Sequence, residues 1–376
     1  MKAPAELLAT LRCLRCRGAL GAASLDKGVP YPELGPDGHV HCLECGAGYP
    51  IIGGSPRMLP LAMRSRLWLD YPRSGRALEA AGIDRPSPAR PAEPAGDVKQ
   101  LTADSFAYEW QRFGAPRAQW RQNFADYMRP HSLDSFAGRT VLDVGTGSGR
   151  HSLQAAELGA SVVAVDIGRS IDVARANLPP EVLTVQADAE ELPFAPGSFD
   201  FVISIGVLHH LPDPHRALAA IAPLVAPGGH VHVYLYWVPE RAWHATVLRW
   251  VASARTVTVR LPHRLLHALC VPLAALLAVG VVWPYRILRR WPRLRGVAQG
   301  FPLKTYADYP FGVLVNDQFD RFSAPLERRY TRQQARSMLE QAGLTQVQVL
   351  ENHGWVADGR RAADGRRAAV GRDEVH

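Results

Sequence analysis

Cys13 and Cys16 form one C-x-x-C pair, and Cys42 and Cys45 form a second after 25 intervening residues. Each pair can set two thiolates on one tight turn. Two such turns facing each other give four soft donors in a tetrahedron, which suits zinc. Four thiolates leave no open position for a substrate, so a site of this kind is structural. The alternative is four ordinary buried or redox-active thiols. The region is too small to build a hydrophobic core alone, and that weighs toward the metal. His39 and His41 stand near the second pair and read as solvent-facing residues rather than ligands.

A second constellation lies in the middle of the chain. The apolar run Thr140 to Val144 carries Asp143 and leads into Gly145, Gly147 and Gly149. A strand that enters such a turn before a helix lets backbone approach a ligand closely. Asp143 suits the cationic amino-acid end of a ligand. Asp166, closing the next apolar run, can accept both hydroxyls of a ribose, and Asp188 can bond an adenine amine. Each acid also has a plainer reading: strand-end cap, surface acid and Asx-turn residue respectively. A glycine turn alone does not separate this pattern from nucleotide oxidoreductases.

His209 and His210 are the acid–base candidates, because imidazole titrates near neutral pH. Such a pair can equally shape a loop. His131 is an outlying third candidate. Tyr108 lies among the aromatics at 106, 110, 113 and 120, which either bury a helix or form a lid with Tyr108 or Trp110 facing the reacting group.

The elements that must hold these residues follow from periodicity and punctuation. Strands are predicted at Thr140 to Val144, Ser161 to Val165, Val182 to Gln186, Phe199 to Ser204 and His230 to Leu235. Helices are predicted at His151 to Leu158 and His215 to Leu224. A last helix, capped by Thr331 and stopped by Gly343, precedes a strand from Thr345 to Leu350. Alternating strands and helices predict an α/β fold. The stretch from Tyr71 to Lys99, rich in Pro, Gly, Ala and Arg with one short helix near Leu78, reads as a linker.

Two resemblances now take hold. Residues Leu11 to Pro60 contain the cysteine pairs, then Tyr49-Pro50-Ile51-Ile52-Gly53-Gly54-Ser55-Pro56 and Leu59-Pro60. They resemble the zinc-ribbon proteins of the Trm112 type, which act as partners or fused modules of methyltransferases. From about Arg139 to Tyr236 the order of motifs is an acid-glycine turn, an acidic strand end, Gln186-Ala187-Asp188-Ala189-Glu190-Glu191-Leu192-Pro193-Phe194, the double histidine and Pro227-Gly228-Gly229. That order resembles the class I S-adenosylmethionine-dependent methyltransferases of the quinone-methylating, type 11 group. The resemblance implies a Rossmann-like, mostly parallel seven-stranded sheet with a helical insert, preceded by the ribbon.

It also implies contacts to S-adenosylmethionine. Asp143, Gly145, Thr146 and Gly147 would surround the methionine portion, Asp166 and Ile167 the ribose, and Asp188 with Ala189 the adenine. Ile205 and His209 would border the cofactor on the substrate side. Gly168-Arg169 departs from the small polar residue that relatives carry after this acid and apolar pair, which leaves the ribose contacts open.

These readings divide the chain into a ribbon at 1–62, a linker at 63–102, a methyltransferase domain at 103–356 with an insert at 237–330, and a disordered tail at 357–376. The net charge of +8 is local: Glu240 to Gly300 holds ten arginines and one acid. Inside it, Leu265 to Tyr285 lacks any Asp, Glu, Lys or Arg, although His267, Pro272 and Pro284 interrupt it. An interfacial or membrane-dipping hairpin through residues 240–300, a soluble cap over a greasy acceptor, and a true span all stay open. The loop Asn316 to Pro325, with Asp317, Asp320 and Arg329, is expected to wall the acceptor.

The expected function is methylation of a small apolar or lipid-linked acceptor of the quinone, polyketide or isoprenoid type, as in secondary metabolism. An RNA methyltransferase and a non-catalytic scaffold are the alternatives. No stripe of basic and aromatic residues outside the insert supports nucleic acid. The start of the chain lacks a secretory pattern, so the expected location is cytoplasmic, with contact at the inner face of the membrane if the insert is interfacial. Nothing in the sequence sets the oligomeric state.

Overall fold

Alternate residues of the apolar runs point to opposite faces of a sheet, and in the computed structural model both faces are covered. It describes residues 4–24, 37–84, 98–115, 120–239, 242–294 and 304–363, with single positions 2 and 296. The amino-terminal strands are β1 (Leu20–Ser24), β2 (Asp37–Cys42), β3 (Gly48–Ile52) and β4 (Ser55–Met58). The central ones are β5 (Thr140–Val144), β6 (Ser161–Asp166), β7 (Leu183–Ala187), β8 (Phe199–Ile205) and β9 (Val225–Leu235). β10 (Thr345–Glu351) and β11 (Trp355–Arg360) complete the set.

Strands β7, β6, β5, β8 and β9 are parallel in that order, and β11 then β10 follow antiparallel. Leu142, Val144, Val163, Val165, Leu183 and Val185 face one core. Val141, Val162, Ala164, Phe201, Ile203 and Ile205 face the other. Burial on both faces explains why these strands read as unbroken apolar runs. The expected seven-stranded Rossmann-like sheet is therefore present.

The same sheet continues past it. β4 pairs parallel with β7, Arg57 opposite Gln186 and Met58 opposite Ala187, and β3, β2 and β1 follow antiparallel, making eleven strands. Leu7, Leu11, Cys13, Tyr49, Ile51 and Met58 belong to the same buried cluster as Val163 and Leu183. The region expected to form the ribbon, too small to build a core alone, shares one. Arg57, 1% exposed, donates to Asp172 at 2.7 Å and to the Ile52 carbonyl at 2.6 Å, and its guanidinium lies 4.5 Å from the Tyr71 ring.

Four expectations are corrected. Residues 63–84 hold more than the one short helix expected near Leu78: that helix is Gly75–Ala80, and Leu61–Arg64 and Leu67–Asp70 precede it, placing Leu67, Tyr71 and Leu78 in a buried cluster with Ile52 and Leu59. Part of the expected linker, 85–97, lies outside the described residues. The tail expected from 357 instead opens within β11, because its first residues pair with β9 and Asp358 is 5% exposed. Of the expected loop Asn316 to Pro325, residues 316–323 are the second half of a helix, Phe311–Ser323. Pro272 does not break the apolar stretch, which runs as helix His263–Leu277, a wider turn Ala278–Val282 and helix Trp283–Leu288.

Contacts divide the chain into two units: Met1–Ala103, Ala115–Val238 and Leu326–His376 in the first, Asp104–Gly114 and Pro239–Pro325 in the second. The second unit is helical. Its core joins Leu266, Cys270, Ala274 and Val282 to Leu314, Val315 and Phe319. Asn316 donates to the 3%-exposed Glu109 at 2.9 Å, and Arg255 donates twice to the Arg321 carbonyl.

Candidate functional site

β5 ends at Val144 and the chain turns through Gly145, Gly147 and Gly149, at φ 79°, 57° and 83°, into helix Arg150–Glu157. These are left-handed conformations that glycine adopts without penalty. At Gly145 space also forbids a side chain, since a Cβ there would lie 2.2 Å from Val207 Cγ2. The turn is held from the neighbouring strand: Gly145 and Thr146 N–H both donate to the Val165 carbonyl at 2.8 Å.

Asp166 ends β6 and spans the crevice. Its Oδ2 accepts from Gly147 N–H at 3.0 Å and its Oδ1 from Gly168 N–H at 2.9 Å. Burial pushes this carboxyl up to about 6, against the pull of those two amides. The acid expected on a ribose thus sits at the carboxyl edge of parallel strands, beside the glycine turn. Ile167 lends its carbonyl to Gln186 Nε2 at 2.9 Å. Gly168 has a packing reason for departing from relatives: a Cβ there would stand 2.9 Å from the Ala103 carbonyl oxygen.

Asp143 has a different setting from the expected one. Its Oδ2 accepts from Thr146 Oγ1 at 2.9 Å and Ser152 Oγ at 2.7 Å, inside the turn. Burial raises its carboxyl, with the two hydroxyls pulling it back. It therefore braces the glycine turn from behind. Asp188 also has an internal partner: its Oδ2 lies 2.8 Å from Lys99 Nζ and its Oδ1 accepts from Glu190 N–H at 3.0 Å. Lys99 reaches Glu190 as well, at 3.1 Å. Burial works against the ammonium, but Asp188 and Glu190 hold it above its usual range. Lys99 is a residue that sequence reasoning missed, since nothing local links positions 99 and 188. Ala189 and Ile205 are buried, at 8% and 6% exposure.

The two histidines follow β8 on a short helix, Leu208–His210. His209 is fully buried, its ring stacked on Tyr236 at 3.9 Å between centroids. Burial first, then His210 and Arg329, hold it well below the usual imidazole range, so it is a neutral packed wall and a poor proton acceptor. His210 differs: Nδ1 lies 2.7 Å from the Leu326 carbonyl, which only accepts. Nδ1–H is therefore the donor, and the bond fixes the orientation of the ring. Arg329, expected on the acceptor wall, pairs with Glu327 at 2.7 Å and lies 5.2 Å from the Tyr236 ring.

His131 is removed from the acid–base set. Its Nε2 bonds Asp358 at 2.7 Å, joined there by His230 at 3.0 Å and His232 at 3.2 Å. His230 pairs with Phe201, four residues before the carboxyl end of β8, so the cluster is set back about 13 Å along the strands. Tyr108 belongs to the second unit, where its ring meets Phe319 at 5.2 Å and lines an open cavity of about 940 Å³ with Arg112, Phe113, Arg264 and His267.

At the other end of the first unit the four cysteines converge. Cys13 and Cys45 Sγ lie 3.6 Å apart, Cys16 and Cys42 3.4 Å, and all four lie within 4.8 Å of one another. Tetrahedral zinc thiolate places sulfurs about 3.8 Å apart, so the set fits that ion. Arg17 and Gly46, at φ 63° and 70°, close the two knuckles, and backbone N–H of Arg15, Gly18 and Cys45 point at sulfur. Tyr49 accepts from Leu14 N–H at 2.8 Å, so its own proton is aimed at Cys13 Sγ, 3.2 Å away.

The comparisons agree with this geometry. A family described as a methyltransferase domain matches residues 142–233. The ubiquinone biosynthesis O-methyltransferase of Pseudomonas paraeruginosa is 41% identical over 142 residues, 33% of this chain and 60% of that protein. The protein of the same description from Proteus mirabilis is 35% identical over 168 residues, 39% of this chain and 67% of its own length. Among solved structures, an S-adenosylmethionine-dependent methyltransferase from Mesorhizobium loti is 30% identical over 28% of this chain and 52% of that one, at a TM-score of 0.26. This chain spans less than two thirds of the Pseudomonas relative. With the acid-glycine turn, Asp166 at its strand end and the strand order in place, the chain belongs to the class I S-adenosylmethionine-dependent methyltransferases.

Proposed function

We propose that this protein transfers a methyl group from S-adenosylmethionine to a small apolar acceptor, of the quinone, polyketide or isoprenoid type. The observation that carries the reading is Asp166, whose carboxylate joins the glycine turn to the second strand through Gly147 N–H. Relatives named for ubiquinone biosynthesis support the acceptor class.

When bound, S-adenosylmethionine supplies an electrophilic methyl group on a sulfonium. The chain supplies position. Asp166 would take the ribose hydroxyls, the backbone from Gly145 to Gly147 would bound the methionine end, and Ala189 and Ile205 would pack against the cofactor. Holding acceptor and methyl in line provides much of the rate by itself. His210, its ring oriented through Nδ1 by the Leu326 carbonyl, is the better of the two histidines for taking a hydroxyl proton, and His209 would wall the site beside it.

Calorimetry with S-adenosylmethionine and with NAD tests the reading, followed by transfer of labelled methyl to a catechol or demethylated quinol. Binding of NAD alone would move the protein to the oxidoreductases. His210→Gln is expected to lower kcat while leaving cofactor affinity within about twofold, because the group acts on the acceptor. Unchanged kcat would remove it from proton transfer.

Residues Leu11 to Pro60 we read as a fused zinc ribbon of the Trm112 type, holding one structural zinc through Cys13, Cys16, Cys42 and Cys45. The donor set and its backbone N–H shell support this. Purified protein is expected to carry about one equivalent of zinc per chain. Retention of the metal after Cys42→Ser and Cys45→Ser together would end the assignment.

A further inference from the structure

The apolar stretch of the second unit carries two apolar stripes. His263–Leu288 is 26 residues, long and apolar enough to cross a membrane by length and composition, yet its most apolar window is 22% buried. Leu266, Cys270, Ala274, Ala278 and Val282 recur every four residues and are at most 9% exposed. They face Leu314, Val315 and Phe319 of helix Phe311–Ser323.

The opposite stripe has no such cover among the described residues. Leu265, Leu269, Leu276, Val279, Trp283 and Ile287 fall at helical spacing and are between 48% and 73% exposed. A surface helix ordinarily turns polar residues outward. Here the outward face is as apolar as the inward one. Trp291 extends the stripe at 63% exposed, and Trp250 of the preceding helix, Ala242–Thr258, is 74% exposed. Patches of this kind mark a surface that meets a partner.

Charge decides which partner. Arg260, Arg264, Arg290 and Arg293 are exposed beside the two ends of the stripe, in a segment, Glu240 to Gly300, with ten arginines and one acid. A second copy would bring two such segments face to face and repel itself. An anionic lipid surface satisfies both properties, taking the leucines and tryptophans at the acyl boundary and the arginines at the headgroups. A spanning orientation fails on the buried side. The helix against that side carries Asn316, Asp317, Gln318, Asp320 and Arg321, which would be drawn into hydrocarbon.

We infer that the second unit docks on an anionic bilayer, with the helix His263–Leu288 lying in the plane of the interface and its Leu265-to-Ile287 stripe in the acyl boundary. This goes beyond the methyl-transfer reading and stands without it. A monotopic helix of this length covers about 39 Å of membrane surface and sinks roughly 5–10 Å.

Flotation of the full-length protein with phosphatidylcholine vesicles, and with vesicles also containing phosphatidylglycerol, tests the inference. Binding is expected on the anionic vesicles, falling as salt rises. Leu276→Glu with Ile287→Glu is expected to weaken it about tenfold or more, since both side chains are exposed and would be withdrawn from the boundary. Circular dichroism and cofactor calorimetry on the same variant verify the fold and keep this test separate from the methyltransferase reading. Brominated lipids then give depth: tryptophan quenching is expected to be strongest for bromine near the headgroup.

Absence of binding to either vesicle would overturn the inference, as would equal, salt-insensitive binding to both or unchanged binding by the variant. Quenching strongest from the bilayer centre would replace in-plane docking by a span. A dimer in solution that the double variant abolishes, without lipid binding, would make the stripe a contact between copies.

Discussion

A side chain at Gly145 meets two obstacles: Val207 Cγ2 at 2.2 Å and a φ of 79°. Gly145→Ala is expected to cost about 1–3 kcal/mol in chemical denaturation and to weaken S-adenosylmethionine binding by calorimetry. Adding Val207→Ala should recover part of the stability by removing the clash. The rest stays lost, because the left-handed backbone still disfavours a Cβ. Asp166 makes the second expectation at this scale. Burial pushes its folded carboxyl up to about 6, and in the proposed site only the ionised form would accept both ribose hydroxyls. Cofactor affinity should therefore be pH-independent above about 7 and fall, by up to tenfold per unit, as pH drops below about 6. Asp166→Asn should bind weakly and without that slope. A wild-type affinity that is flat from neutral to pH 5 would contradict the assignment.

β11 shows how an element outside the cofactor site holds the sheet that carries it. The strand lies between β9 and β10, and Asp358 from it gathers His131, His230 and His232. Burial raises the Asp358 carboxyl, but the three histidine bonds more than offset this and leave it well below the usual range. His232, with no exposure, also has Nε2 2.8 Å from the Tyr127 carbonyl, so carboxylate and carbonyl hold the ring through its two nitrogens. Asp358→Asn is expected to cost about 1–3 kcal/mol at neutral pH. The sign with pH follows from the depressed carboxyl: its contribution is full above the unfolded value near 4 and is lost as pH falls below it. Urea titrations of the two proteins should differ at pH 7 by a constant amount down to about pH 4, and only below that should the difference begin to shrink.

At the scale of the first unit, the ribbon and the parallel sheet are one body. β4 extends the sheet from β7, Ser55 and Thr184 hydroxyls meet at 2.6 Å, Arg17 donates to the Leu192 carbonyl at 2.9 Å, and the two regions share a buried cluster. A metal bound by the four cysteines would then stabilise more than the strands that carry them: it would support the edge on which β7 and Asp188 rest. Chelation, or Cys42→Ser with Cys45→Ser, is expected to lower the melting temperature of the sheet itself, as one transition rather than a separate early one. Cofactor binding should weaken with it. A variant whose ribbon melts alone while calorimetry with S-adenosylmethionine is unchanged would show the two to be independent.

The amino-acid sequence by itself determined the strands β5 to β9, the glycine turn, Asp166 at its strand end and the cysteine pairs. Each depends on neighbours close in the chain: apolar runs of strand length, left-handed backbone that calls for glycine, thiols two residues apart. The Thr331 cap was legible for the same reason, and it forms the full capping box with Gln334. The tertiary structure decided what distance along the chain conceals. Lys99 finds Asp188 across 89 positions, and His131 finds Asp358 across 227. Asp143 also braces the glycine turn, because Thr146 and Ser152 converge on it, which spacing alone does not reveal. β11 was hidden in a stretch dominated by Ala, Asp, Gly and Arg, a composition poor in strand formers. Pairing on both sides, with β9 and β10, supplies what propensity lacks. The apolar insert had the same limit: its sequence shows that it is greasy, but only packing against Phe311–Ser323 separates the stripe that is buried from the stripe that is not.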